Sequence, residues 1–170
     1  MPNRKSNHVL YPISGNPPTW GHADVMERAA HTFGKITWAL AVNPAKTPLF
    51  SREDRLAMMA EYVTYFKLDN VTLDFYEGST VRYAEKIGAG VILRGLRNVS
   101  DLQLEMEQSM GNRGINPNIE TIAMFTSPRF SVLNSSLIRE LALLGEDIGE
   151  YVHPNVAKKV AESLKRGHSA

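Results

Sequence analysis

There is no cysteine among the 170 residues, which removes disulfide scaffolds, thiolate nucleophiles and cysteine-built zinc sites together. No run of about 18 apolar residues occurs, so no membrane span is expected. The first stretch, MPNRKSNHVLYPIS, is basic but has no sustained apolar segment and does not read as a secretory signal; a cytoplasmic setting is the expectation. Neither sign of charge dominates: 19 Lys and Arg stand against 18 Asp and Glu, a formal net charge of +1. No global field then favours nucleic acid or an acidic membrane, and anion binding must come from a local cluster. Two phosphate motifs are missing as well. No G-x-x-x-x-G-K-[ST] is present, which excludes a P-loop, and the Gly88-Ala89-Gly90 run precedes a strand-like stretch where a dinucleotide fingerprint would open a helix.

What is there is an ordinary globular composition, 43% hydrophobic and 22% charged, in a chain of single-domain length. The expected domain spans 1–170, with a core at 8–165 and a mobile tail at 166–170. β-rich runs at 8–13, 35–42, 70–76, 90–95 and 120–126 alternate with helical patterns at 22–33, 51–66, 79–89, 100–113 and 135–145, and a last helix at 154–166 opens on Pro154. Val25, Met26, Ala29, Ala30 and Phe33 share one face of the first helix. In the second, Ser51 and Asp54 are spaced as a capping box, and Leu56, Met59, Val63 and Phe66 form an apolar stripe. Ser100 and Gln103 suggest another box, and Gly145 a helix stop. Met58, Tyr62 and Tyr65 read as core or subunit-contact residues. Five strands each followed by a helix imply a doubly wound, Rossmann-like parallel five-stranded sheet with right-handed crossovers and a C-terminal helix.

In such sheets ligands bind beyond the carboxyl ends of the strands. Ser14 to His22 follow the first strand, Lys46 the second, Ser79 and Thr80 the third, Arg94 and Arg97 the fourth, and the irregular 126–134 loop with Ser135 and Ser136 the fifth. Polar, cationic and glycine residues thus converge on one edge, which suits a phosphate-rich ligand. Gly21 and His22 begin the first helix, where unpaired N–H groups stabilise an anion and glycine permits its close approach. Taken singly, each residue also has a structural reading: His22 packed at a helix start, Lys46 solvated, Arg94 and Arg97 paired with Glu105 and Asp101, Ser135 and Ser136 as helix caps.

Thr19-Trp20-Gly21-His22 is similar to the T/H-x-G-H signature of the nucleotidyltransferase superfamily. NPAKTPLF, VILRGLRNVSDLQLEMEQSMGNRGINPNIET and FSVLNSSLIRE resemble, in order, segments of the phosphopantetheine adenylyltransferases, from about Val9 to Val160. The resemblance implies adenylyl transfer from ATP, with Mg²⁺, to 4'-phosphopantetheine, giving dephospho-coenzyme A and pyrophosphate by direct in-line attack. It implies that His22 stabilises charge at the α-phosphate, that Lys46 and Arg94 hold the acceptor phosphate, and that Ser14 touches acceptor and ATP. It places Thr80 along the pantetheine arm. For ATP it implies Ser14, Gly15, His22, Gly95, Leu96, Arg97 and Glu105, and a loop of Phe130, Ser131, Val132, Leu133, Asn134, Ser135 and Ser136. It implies a homohexamer; no protein metal ligand and no nucleic-acid or membrane partner is expected.

The chain departs from that pattern at 13–17. Where the family reads Gly-Ser/Thr-Phe-Asp-Pro, this chain reads Ile13-Ser14-Gly15-Asn16-Pro17, which suggests another loop path and one negative charge fewer near the triphosphate. Asn134 stands for a serine and Gly111 for a larger apolar residue. Two alternatives remain: an adenylyltransferase for another phosphorylated acceptor such as nicotinate mononucleotide, whose members usually carry histidine at the Thr19 position, and a nucleotide-binding homologue with impaired catalysis.

Overall fold

A computed structural model describes residues 7–167. Strands β1 (His8–Ile13), β2 (Lys35–Val42), β3 (Val71–Glu77), β4 (Val91–Leu96) and β5 (Glu120–Phe125) form one sheet in the order β3-β2-β1-β4-β5. Every pairing is parallel. Between the strands run α1 (Trp20–Thr32), α2 (Arg52–Phe66), α3 (Thr80–Ile87) and α4 (Val99–Ile115), and after β5 a short 3-10 turn (Pro128–Phe130), α5 (Ser135–Leu143) and α6 (Pro154–Gly167). This is the doubly wound α/β fold expected from the alternating pattern.

Period-2 alternation along the strands divides the core. Val9, Tyr11 and Ile13 of β1, Ile36, Trp38 and Leu40 of β2 and Leu93 of β4 pack with α1, α2, α5 and α6. Leu10, Ala39 and Ile92 face the other way and pack with Val81, Tyr83 and Ala84 of α3. The chain winds from β1 outward to β3, then returns to β4 on the other side of β1, so the strand order reverses between β1 and β4. That reversal is where such sheets leave a crevice.

The expected helix bounds hold to within two residues, and four details change. Helix α1 starts at Trp20 with Thr19 as its cap, two residues before the expected start. Asn98 caps α4 through Asp101 N, so Ser100 and Gln103 lie inside the helix and form no box. Ser51 accepts from Asp54 N at 3.0 Å as expected, and its hydroxyl also meets the Asp54 carboxylate. The deep face of α2 is Arg55, Met58, Met59 and Tyr62, with Leu56, Val63 and Phe66 half-buried at its flank; the stripe therefore includes an arginine, a residue the apolar pattern passed over. At the C-terminus α6 runs through Gly167, so the first two residues of the expected mobile tail are helical, and 168–170 lie outside the described residues.

Candidate active site

The ends of β1 and β4 open into a cleft of about 810 Å³ whose walls come from the loops after β1, β2, β4 and β5. That volume suits a drug-sized or nucleotide-sized ligand. Its back is the start of α1. Thr19 N–H donates to His22 Nδ1 at 3.1 Å, and Thr19 Oγ1 lies 2.9 Å from the same nitrogen. A backbone N–H can only donate, so Nδ1 is an acceptor and the ring proton sits on Nε2. Burial, and then the Arg97 and Arg94 charges, pull the His22 pKa down from 6.5 to about 4. His22 is thus a neutral imidazole held in one tautomer, lining the cleft with a donor that no described residue uses. Gly21 N–H beside it also has no acceptor among the described residues, as expected for the first turn of a helix.

Five cations line the cleft, Lys46, Arg55, Arg94, Arg97 and Arg139, against two carboxylates, Asp101 and Glu105, an excess of three positive charges. Those two carboxylates are already engaged. Arg94 Nε and Nη2 each donate to Glu105 at 2.6 Å, a bidentate fork. Arg97 Nε and Nη2 each meet Asp101 at 3.0 Å, and Arg97 Nη1 donates to Leu133 C=O. The structural pairing and the cleft position of these arginines therefore coexist. Lys46, Arg55 and Arg139 have no carboxylate within 4 Å among the described residues. They are the free cations of the cleft.

The loop after β5 is fastened to α1. Asp24, only 6% exposed, accepts from Ser127 N at 3.0 Å and from Ser127 Oγ at 2.5 Å. Arg28 Nη1 donates to Asp24 at 3.2 Å and to Phe125 C=O at 2.6 Å. Farther along, Asn134 caps α5 through Leu137 N at 2.8 Å, so neither Ser135 nor Ser136 is the cap. Ser135 hydroxyl donates to Pro17 C=O at 2.7 Å, which uses up the proton expected to reach a phosphate. The N–H groups of Ser135 and Ser136 have no acceptor among the described residues and lie at the cleft. Donation at this helix start is therefore a backbone property.

Of the residues singled out from sequence, Ser14, His22, Lys46, Arg94, Gly95, Arg97, Glu105, Leu133, Asn134, Ser135 and Ser136 line the cleft. Six do not. Leu96, the last residue of β4, is buried at 2% exposure. Thr80 bonds Tyr76 Oη through its hydroxyl at 2.7 Å and follows β3, an edge strand two places from the reversal point. Gly15 is buried behind Ser14, and Phe130, Ser131 and Val132 lie on the 3-10 turn and beyond it, outside the lining. Sequence reasoning missed Asp24, Arg55 and Arg139. The first two carried a signal, a charged residue on the buried face of an otherwise apolar helix; Arg139 carried none.

The divergent loop is internally consistent. Gly15 has φ +55°, and a Cβ there would stand 2.9 Å from Leu40 Cδ2 and 3.2 Å from Ile13 Cδ1. Asn16 Oδ1 accepts from Phe50 N at 3.2 Å. Gly111 is on the exposed α4, with nothing within 4 Å of a Cβ placed on it. Among the described residues no group of three or more His, Asp or Glu could cage a metal ion, and no helix is long and apolar enough to cross a membrane.

A parallel sheet with a cationic crevice at its reversal point and a histidine at a helix start fits a nucleotidyltransferase, and residues 14–141 match the cytidylyltransferase-like family. A phosphopantetheine adenylyltransferase of Caldanaerobacter subterraneus subsp. tengcongensis is 40% identical over 158 residues, 93% of this chain and 98% of the relative. One from a Synechococcus strain is 42% identical over 154 residues, 91% and 96% of the two chains. Among solved structures, Plasmodium falciparum nicotinic acid mononucleotide adenylyltransferase superposes with a TM-score of 0.67 at 14% identity, covering 91% of this chain and 94% of that one, a likeness of fold. The chain belongs to the phosphopantetheine adenylyltransferase family of nucleotidyltransferase enzymes.

Proposed function

We propose that this protein transfers the adenylyl group of ATP to 4'-phosphopantetheine, forming dephospho-coenzyme A and pyrophosphate in coenzyme A biosynthesis. The observation that carries the reading is His22: a neutral ring whose Nδ1 is tied to Thr19 and whose Nε2–H is left for a ligand oxygen. In an in-line displacement an acceptor phosphate oxygen bonds the α-phosphorus while the bond from that phosphorus to the bridging oxygen breaks. The pyrophosphate leaves with that electron pair. The acceptor is already an anion, so no base is needed; the protein's task is to position two polyanions and to stabilise charge at the α-phosphate. His22 Nε2–H and the Gly21 N–H serve the α-phosphate. The Ser135 and Ser136 N–H groups serve the departing phosphates, and Lys46, free of any carboxylate, holds the acceptor phosphate. Arg94 and Arg97 act through their ion pairs, shaping the wall with Glu105 and Asp101 and lending positive potential.

The residues at the cleft do not make a cage for a resident metal. Magnesium enters this reading as part of the substrate, held by the nucleotide's own phosphate oxygens, as that ion commonly is. Assembly into a homohexamer in the cytoplasm belongs to the same proposal. It is supported by α4, which buries no residue in the single chain and exposes Val99, Leu102, Leu104, Met106 and Met110; light scattering tests it. The activity is tested by pyrophosphate release from MgATP without acceptor, with 4'-phosphopantetheine and with nicotinate mononucleotide. Release with 4'-phosphopantetheine alone is expected. Release with nicotinate mononucleotide instead, or bound ATP with no release, refutes the reading in favour of a different acceptor or a binding homologue.

A further inference from the structure

Two arginines from different helices hold the loop at the end of β1. Arg55 of α2 donates from Nη1 to Ser14 C=O at 3.0 Å, and its Nε reaches Ser51 C=O at 3.4 Å. Arg139 of α5 donates from Nη1 to Asn16 C=O at 2.5 Å and from Nη2 to Ser136 Oγ at 3.1 Å. Both line the cleft, and neither has a carboxylate partner among the described residues.

For Arg55 this arrangement is costly. It is 5% exposed, and a buried cation without a counter-ion is unfavourable. Its neighbours on the deep face of α2 are Met58, Met59 and Tyr62, where an apolar side chain would pack without that cost. Burial lowers its pKa from the usual value, yet a guanidinium stays charged. What the charge achieves is a fixed peptide. The Ser14–Gly15 bond is trans, the one cis bond among the described residues being Asn16–Pro17. In a planar trans peptide the C=O and N–H point in opposite directions. Anchoring Ser14 C=O on Arg55 therefore turns Gly15 N–H away from it. Gly15 is buried, and no described residue accepts from that N–H. Gly15 itself is not among the residues lining the cleft, but its neighbours Ser14 and Asn16 are, so fixing this peptide fixes two residues of the cleft wall.

We propose that Arg55 is a positioning residue: by holding Ser14 C=O it locks the Ser14–Gly15 peptide and so sets the cleft-lining Ser14 hydroxyl to meet an oxygen of a phosphorylated ligand, with Arg139 as the second arm of the clamp. The ligand's identity rests on the function proposed above; the clamp itself requires only a phosphate-bearing anion.

Arg55→Met keeps the bulk and removes the charge, Arg55→Lys keeps the charge with a simpler donor, and Arg139→Gln tests the second arm should Arg55→Met fail to fold. Each full-length variant is measured by thermal unfolding, by kcat and KM for 4'-phosphopantetheine, and by calorimetric titration with inorganic pyrophosphate. In folded Arg55→Met, kcat/KM for the acceptor is expected to fall at least about tenfold, with pyrophosphate affinity weakened by about fivefold or more, as for loss of one charge-assisted contact. Arg55→Lys is expected to recover most of both, and Arg139→Gln to lose about threefold or more in each. Wild-type kinetics and pyrophosphate affinity in folded Arg55→Met overturn the proposal, as does Arg55→Lys equal to Arg55→Met, which would make the residue a matter of shape. Should Arg55→Met not fold, unchanged values in Arg139→Gln overturn it. If the wild type releases no pyrophosphate with 4'-phosphopantetheine, the proposed activity fails and the inorganic pyrophosphate titration still decides the clamp.

Discussion

His22 links the stability of the protein to pH in a way that can be isolated. The unfolded chain protonates this ring near 6.5, the folded chain only near about 4. Between those values the unfolded state binds more protons, so stability falls as pH falls. An interval of about 2.5 pH units at about 1.4 kcal/mol each amounts to about 3 kcal/mol, lost between pH 7 and pH 4 and absent from any further loss below. His8 is also lowered, chiefly by burial, and adds a slope of the same sign, so the wild type must be compared with a variant in which His22 alone stops titrating. His22→Gln is that variant, because a glutamine at this helix position can accept from Thr19 N–H and preserve the capping box. Urea unfolding followed by circular dichroism at several pH values from 4 to 7.5 should show the wild-type stability falling relative to that of the variant on acidification, by about 3 kcal/mol across the range. Parallel curves would refute the buried, amide-pinned neutral ring. The same reasoning makes kcat free of any His22 limb between about pH 5.5 and 8; an inflection near 6.5 that His22→Gln abolishes would contradict it.

Lys46 is exposed and its side chain bonds nothing among the described residues, so Lys46→Ala should leave the unfolding free energy within about 0.5 kcal/mol. Its kcat/KM for 4'-phosphopantetheine should fall by about tenfold or more; unaltered kinetics would make it a bystander. Asp24→Ala strands Ser127 N–H and its hydroxyl and should cost about 2–4 kcal/mol, with the KM for ATP raised as the 126–134 loop loosens; a full-strength KM would detach that loop from nucleotide binding. Gly15→Ala meets a left-handed φ and Leu40 Cδ2 at 2.9 Å, and should lower stability by about 2 kcal/mol, roughly 4–8 °C in Tm; an unchanged Tm would mean the loop relaxes freely.

The fold was largely legible because each element carried its own periodicity. The nearly continuous apolar runs HVLYPI and KITWALAV mark strands buried on both faces, and the five β-α units leave little choice but a parallel sheet. The edge that carries the cleft followed from that. The membership of the site did not follow as fully, because strand order is a tertiary property. Thr80 sits after a strand like the others, yet β3 proves to be an edge, and nothing local in the sequence says so. The pairing of Arg94 with Glu105 and of Arg97 with Asp101 was one of the readings their sequence offered and is observed, but nothing local showed that Arg55 and Arg139 are left in the cleft without a carboxylate. Polar residues on apolar helix faces, Asp24 and Arg55, were the signal that periodicity counting treats as noise.

The departures at 13–16 are coupled to one another by packing. A glycine at 13 followed by an aromatic at 15 puts bulk on the second position; here Ile13 supplies it on the first. Ile13 Cδ1 and Leu40 Cδ2 crowd the place a Cβ on residue 15 would take, so with Ile13 and Leu40 in place glycine fits best at 15, and glycine is also what φ +55° favours. The two changes are a single transfer of volume. At 16 the amide keeps the acceptor that Phe50 N–H requires while removing a negative charge beside Arg139. The loop is thus held by Leu40, by Phe50 N–H and by the two arginines, and its residue 16 has a neutral amide side chain and a backbone carbonyl that meets Arg139. On this view the departures alter the electrostatics of the phosphate-binding end and leave its geometry to Arg55 and Arg139.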